Sequence, residues 1–451
     1  MATRPSRRRP APEPGEVEDP LAADKRTLAI GASAMLVFVL IGVVSAQLFV
    51  TGSCVPIGEP TPVAAGTEAA TDRVDAEALG ELERLLEVDL TQAAPVAGDV
   101  DRLAAGPDGR LLAVGDVVTL LDDGLAPVSE LEVPGVVVGD GPTLFDVALT
   151  NELTGQVDAF TPIEAATLEA GSCTDTTVVS EQFSFLLDAR EGQLLQLRLD
   201  EDGDGPAAEL RDAQGHVTEI GLTLPAGPAG VLGERFSGAL GDDVVVLTRR
   251  VAPDDDQPPV LVTDHAGEVT LEVDRTAVLD AGELGDDLAV RVTALVVAGD
   301  RALLHVRPDP AQGEPPSDAT DTLVWLDLVD GSLDPLGATA GHPTAAAAHE
   351  GGVALALVGE AESRGVLVTP DEVVEGAVLD EGVRTVRWVG GQAWAITDGG
   401  SAVPLPSGAE TSAPSRDPGP VAGLEIRDLA EVDGRPVVLV HVDGRSVVLA
   451  G

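Results

Sequence analysis

The sequence predicts an all-β ectodomain, a β-propeller of seven or eight blades closed by strands from both termini. One transmembrane α-helix and a short amphipathic helix precede it. Three observations lead there. From about Val88 onward, short apolar runs rich in Val and Leu alternate with Gly, Asp and Pro. A turn–strand–turn–strand unit recurs at intervals of roughly 30 to 60 residues, the repeat range of propellers. Near the N-terminus, one apolar stretch is long enough to cross a bilayer.

That stretch runs from Leu28 to Val50 without a charge and with a single amide, Gln47. At about 1.5 Å per residue it reaches about 34 Å, against a hydrocarbon core of about 30 Å. Arg4, Arg7, Arg8, Arg9, Lys25 and Arg26 precede it, and the next basic residue is Arg73. The positive-inside rule therefore puts the N-terminus in the cytoplasm and the C-terminal domain outside the cell membrane. Three rival readings fit less well. The apolar run is longer than a cleaved signal peptide needs. A lipidated Cys54 lacks an apolar residue three positions before it, and Pro10 separates the arginine cluster from the run, against a twin-arginine signal. Residues 1–27 form a basic, Pro-rich tail expected to be disordered. Residues 28–50 form the membrane helix and residues 51–73 a Pro/Thr/Ala-rich stalk.

Residues 74–87 place Val74, Ala78, Leu82 and Leu85 on one helical face, which reads as a short amphipathic helix docked on the main domain. Residues 88–451 are the propeller. The clearest copies of the repeat begin at Gly109, Gly141, Glu181, Gly241, Gly299, Gly351, Gly390 and Gly434. The last copy offers three strands, Leu424–Leu429, Pro436–Val442 and Ser446–Ala450. Leu86–Thr91 is the candidate for a fourth, so that closure leaves no exposed edge. Two β-sandwich domains are the alternative, but no linker-like composition divides the chain after Val88. This organisation resembles β-propeller ectodomains on an N-terminal membrane anchor, an arrangement common in actinobacteria. The resemblance rests on turn spacing, without a Trp-Asp or kelch signature, and implies a fold alone.

Composition narrows the function. The net charge is -50, with one Lys, Lys25, among the 27 basic residues. Phosphate recognition needs basic side chains, so no nucleic-acid partner is expected. So acidic a surface also suits a salt-adapted host. Aromatics make up 2% and there is no Tyr, which argues against a stacking platform for sugars or bases.

Few clusters can carry chemistry. Cys54 and Cys173 share the local sequence Gly-Ser-Cys, and in an oxidising compartment they are candidates for a disulfide, within the chain or between chains. Asp200, Asp202 and Asp204 have the Asp-x-Asp-x-Asp-Gly spacing of a Ca²⁺ loop. Arg211 and Ala208 stand where the closing acid of the two known loop types belongs, so an acidic hairpin turn is the plainer reading. His342 and His349 are the nearest pair among six scattered histidines, at a spacing with no standard ligand geometry. Trp388 and Trp394 flank the Gly390-Gly391 turn and line a binding face or fill the space between blades. No nucleophile elbow, phosphate loop or zinc-protease motif is present.

The expected function is a membrane-anchored binding or scaffold module for an envelope protein or cell-wall component. It touches the membrane through residues 28–50 and needs no cofactor unless Ca²⁺ binds. The alternatives are a propeller enzyme, a lyase or glycan hydrolase with acids on the central face, and a sensor coupled to a cytoplasmic partner.

Overall fold

In the computed structural model, each Val/Leu-rich run is a strand, and turns fold the runs back as antiparallel neighbours. The structure describes residues 54–63, 74–151, 156–175, 182–200, 207–214, 216–220, 236–253, 257–309, 321–339, 341–349, 352–359, 362–374, 378–379, 381–405 and 423–451, with positions 376 and 421. Among these no helix is long and apolar enough to cross a membrane. The expected spanning segment and cytoplasmic tail lie outside the described residues.

The repeat seen in the sequence is the hairpin between the first two strands of each meander. At Asp433-Gly434 both residues have positive φ, 52° and 72°. That is the conformation of a two-residue type I′ turn, and Gly adopts it without strain. The turn brings Arg435–Val442 back against Glu425–Val432. Gly109, Gly141, Gly241, Gly299 and Gly390 occupy the equivalent turn of their meanders. In the copy that begins at Glu181, the turn is Glu191-Gly192, because Gln182–Arg190 is itself a first strand. Gly351 lies outside the described residues.

The described strands form six sheets built from consecutive antiparallel neighbours. Two have eight strands, and each joins two meanders: residues 136–175 with 182–220, and residues 236–273 with 290–339. From Gln182–Arg190 to Glu425–Val432 the first strands of successive meanders pack side by side, and Glu425–Val432 packs against Val100–Ala105 at the start. This is a β-propeller arrangement. The two ends of the domain close it. Gln92–Val96 pairs antiparallel with Arg445–Ala450, from Gln92↔Ala450 to Val96↔Ser446. The closing strand thus begins beyond the Leu86–Thr91 segment expected for it. Leu86 is the last residue of helix α1 (Ala76–Leu86), and Glu87 ends that helix in the left-handed conformation.

Six of the first strands share a further feature. Asp101, Leu187, Leu295, Thr344, Arg384 and Arg427 are each the extra residue where the register to the second strand shifts. Such bulges increase local twist, which a ring of twisted sheets needs. Asp188 and Asp428 directly follow two of these bulges. Asp188 accepts the N–H groups of Ala189 and Leu240, each at 2.8 Å. Asp428 accepts those of Leu429 at 2.8 Å and Leu103 at 2.7 Å. In both cases the second donor belongs to the first strand of the next meander around the ring.

The core lies between sheets and is built of Val, Leu and Ala, as a chain with 2% aromatics requires. Leu103, Leu111, Val437, Leu439 and Val448 join the first meander to the last. Helix α1 is capped by Asp75, whose carboxylate accepts the Glu77 N–H at 2.7 Å. It buries Ala78 and Leu82 against Ile426, Leu429 and Leu449. A second helix, α2 (Arg275–Ala281), has no counterpart in the sequence reading. Asp274 caps it and Val278, Leu279 and Ala281 are buried.

Residues 54–63, from the stretch expected to be a stalk, lie against the domain. Thr61–Pro62 pairs with Ser129–Glu130 as an added edge strand. Ile57 packs on Leu131, Leu144 and their neighbours.

Candidate recess and histidine–aspartate cluster

Successive first-to-second-strand turns lie on one face of the ring. Where four of them meet, a recess of about 560 Å³ opens, lined among others by Arg190, Asp242, Asp300, Arg301, Trp325 and His349. Arg190 and Asp242 come from adjacent turns and face each other at 3.8 Å. Arg190 also donates to the Leu240 carbonyl at 3.4 Å. Trp325 is almost fully buried and donates its indole N–H to the Thr369 carbonyl at 2.9 Å. It therefore supplies a fixed apolar wall. His349 stacks on Trp388, with ring centroids 4.8 Å apart. Trp388 is held in turn by the Ala347 carbonyl at 3.0 Å. Trp394 is buried in the core beside Ile396 and Ile426 instead. Of the two tryptophans flanking the Gly390-Gly391 turn, one thus backs the recess-lining His349 and the other fills the interior.

A second charged region lies on the first strands near ring closure. Glu425 takes Arg427 at 2.9 Å and Arg384 at 3.3 Å. Asp101 faces Arg427 at 3.7 Å. Burial, with Asp99 close by, pushes the Asp101 carboxyl above its ordinary range, and the two arginines only partly offset this. Asp428 is fully buried and gripped by Arg387 at 2.9 and 3.1 Å. Arg102 donates to the carbonyls of Val137 and Gly139 at 3.2 and 2.9 Å. Burial, then the nearby Arg387, lowers its guanidinium's proton affinity. These inner acids are engaged by arginine or by backbone N–H groups, so they act as ties between first strands.

The third group stands at the other end of the strands. His305 lies in the second strand Arg301–Pro308, whose start lines the recess. Asp321 opens the third strand, Asp321–Asp327, and His342 opens the next meander at His342–His349. His305 Nε2 lies 3.1 Å from Asp321 Oδ2, and His342 Nδ1 lies 2.7 Å from the same oxygen. His305 is 3% exposed, whereas the His342 side chain is 60% exposed. Burial pushes the Asp321 carboxyl up, but the hydrogen bonds and charges of His305 and His342 together outweigh it and hold it below the ordinary range. Among the described residues these three donor atoms form a set that converges within 4.8 Å.

The sequence pointed elsewhere. His342 and His349 sit at opposite ends of one strand, about 23 Å apart at about 3.3 Å per residue. They serve different regions. His305 and Asp321 carry no ligand-like spacing, and the strand pairing alone brings them together. The one available signal was a histidine inside the buried run Leu303-Leu304-His305-Val306, which demands a polar partner. Cys54 and Cys173 are bonded, with Cα atoms 5.9 Å apart. Asp202 and Asp204 lie outside the described residues. Asp200 ends the strand Gln193–Asp200, and its side chain is not among those described.

No protein-family model matches the chain, and no curated protein matches it significantly. Among solved structures the chain is similar to BamB from Moraxella catarrhalis, at 12% identity over 80% of this chain and 99% of that one, with a TM-score of 0.42. It is similar to the β-propeller domain of the Trilobed protease from Pyrococcus furiosus, at 10% identity over 78% and 94%, TM-score 0.37. The N-terminal domain of Nup159 matches at 11% identity over 80% and 94%, TM-score 0.38. The strand order and closure described above carry the assignment of the fold.

Proposed function

We propose that the chain is a membrane-anchored, extracytoplasmic propeller of eight blades that acts as a binding module for an envelope protein or cell-wall component. Residues 100–132, 136–175, 182–220, 236–273, 290–339, 342–379 and 383–404 count as seven blades. Residues 425–450, completed by Gln92–Val96, count as the eighth. The uncharged run Leu28–Val50 is the anchor, and the six basic residues before it set its direction.

The recess is the observation that carries the binding role. It combines a fixed tryptophan wall with charged groups of both signs, Arg190, Arg301, Asp242 and Asp300, on a face made of turns. Loops on a rigid scaffold are where proteins place recognition. An apolar wall with a few convergent polar groups is the usual make-up of a ligand pocket.

In-cell photocrosslinking tests this reading. A photoreactive residue at Asp300, in the recess, is expected to give a discrete crosslinked species. The same residue at Asp116 does not. Asp116 is exposed in a second-to-third-strand turn, on the opposite face. Equal crosslinking from both positions, or none from Asp300, contradicts it.

A further inference from the structure

We propose that His305, Asp321 and His342 form a binding site for a divalent transition-metal cation of the Zn²⁺ class, at the strand ends opposite the recess. Two imidazole nitrogens and a carboxylate oxygen are a sufficient donor set for such an ion, and they leave a fourth position for water. Zn²⁺ bonds to these atoms at about 2.0–2.2 Å, so tetrahedral ligands stand about 3.4 Å apart. The contacts to Asp321 Oδ2 are 3.1 and 2.7 Å. Opening them to that spacing takes about 0.3 Å at His305 and about 0.7 Å at His342, the latter by turning the exposed His342 side chain.

The chain divides the labour among the three residues. His305 is 3% exposed, so burial holds its ring in place. Asp321 is fixed by its strand, and the one O–H of Thr339 beside it is shared between the carbonyls of Asp321 and Gly341, at 3.4 and 3.2 Å, tying the strand end to the start of the next meander. These two ligands are preorganised. His342 is mostly in solvent, which gives the ion a path in. A hydrogen-bonding role for Asp321 is already met by the buried His305. A second histidine on the same oxygen, largely exposed, adds little to stability as an ion pair. Imidazole donors select Zn²⁺, Ni²⁺ or Cu²⁺ over Ca²⁺ and Mg²⁺, which want oxygen alone. A chain of net charge -50 also raises the local cation concentration.

Titrating the chelator-stripped full-length protein with Zn²⁺ by calorimetry tests the site. One saturable equivalent per chain is expected. H342A and D321N each weaken it about tenfold or more, since even outer partners of metal ligands are worth about 10–100-fold. H342A changes an exposed side chain, and its circular dichroism is compared with wild type. H349A, at the far end of the same strand, leaves binding unchanged. Co²⁺ is expected to give visible d–d bands that H342A removes. A wild-type protein with no saturable equivalent overturns the proposal, and so does an equivalent that persists in both H342A and D321N, which the acidic surface alone would explain.

Discussion

Asp428 shows how much one carboxylate can carry here. It is fully buried, accepts N–H groups from two first strands and pairs with Arg387. Truncation removes the partner of the Arg387 charge and of two backbone N–H donors. Asp428→Ala is therefore expected to destabilise the domain by about 3–5 kcal/mol, read as a lower urea midpoint at unchanged slope. Asp188 holds the same place in its own meander, and burial, against its two N–H donors and Arg190, raises its carboxyl above the ordinary range. The folded state then holds that proton more tightly than the unfolded chain. Stability from this group is present below the ordinary carboxyl range, near pH 3.9 for free Asp, and declines as pH rises through the raised value. Compared with Asp188→Asn, the wild type should lose stability over that window; a flat or opposite difference in unfolding midpoints excludes this. Neither aspartate was legible in the sequence. In a chain with 77 acids a single Asp carries no signal, and its importance comes from the bulge before it and the strand beside it. His305, Asp321 and His342 were hidden for the same reason, since strand pairing and not spacing unites them.

At the scale of elements, the sequence was most legible where backbone conformation restricts residue choice. Turns such as Asp433-Gly434 need positive φ, so Gly marks them, at Gly109, Gly141, Gly192, Gly299, Gly390 and Gly434, and the spacing of those glycines follows the meanders. Amphipathic spacing likewise marks helix α1. The docked face makes Leu82→Ala expected to cost about 2–5 kcal/mol, measurable by thermal or urea unfolding. Helix α2 was not legible. It has only seven residues, includes Thr and Val, and follows a strand directly, so neither length nor periodicity sets it apart. The N-terminal segment combines weak edge pairing at Thr61–Pro62 with the Cys54–Cys173 link across 119 residues. In the chain-entropy view, closing a loop of about 100 residues contributes about 4–5 kcal/mol. Cys54→Ser should lower the unfolding midpoint and make it insensitive to reductant. An unchanged midpoint would mean that the bond does not hold the folded domain.

The described domain is a ring closed by Gln92–Val96 on the C-terminal strand, with residues 54–63 fastened to it by pairing and by a disulfide. Closure from both ends was legible because the last repeat has only three strands and a propeller edge must be covered. The recess was not, because it is made by turns of four meanders that only the ring brings together. The proposed function requires this head to stand outside the cell on a single N-terminal anchor. The most direct test is labelling with a membrane-impermeant maleimide in spheroplasts of cells producing Val329→Cys. Val329 is 82% exposed in a turn, and the two native cysteines are bonded to each other. With an anchored, extracytoplasmic head, the variant is expected in the carbonate-resistant membrane fraction and is labelled before lysis, while the wild type is not labelled. Labelling only after lysis, or recovery in the soluble fraction, would contradict it.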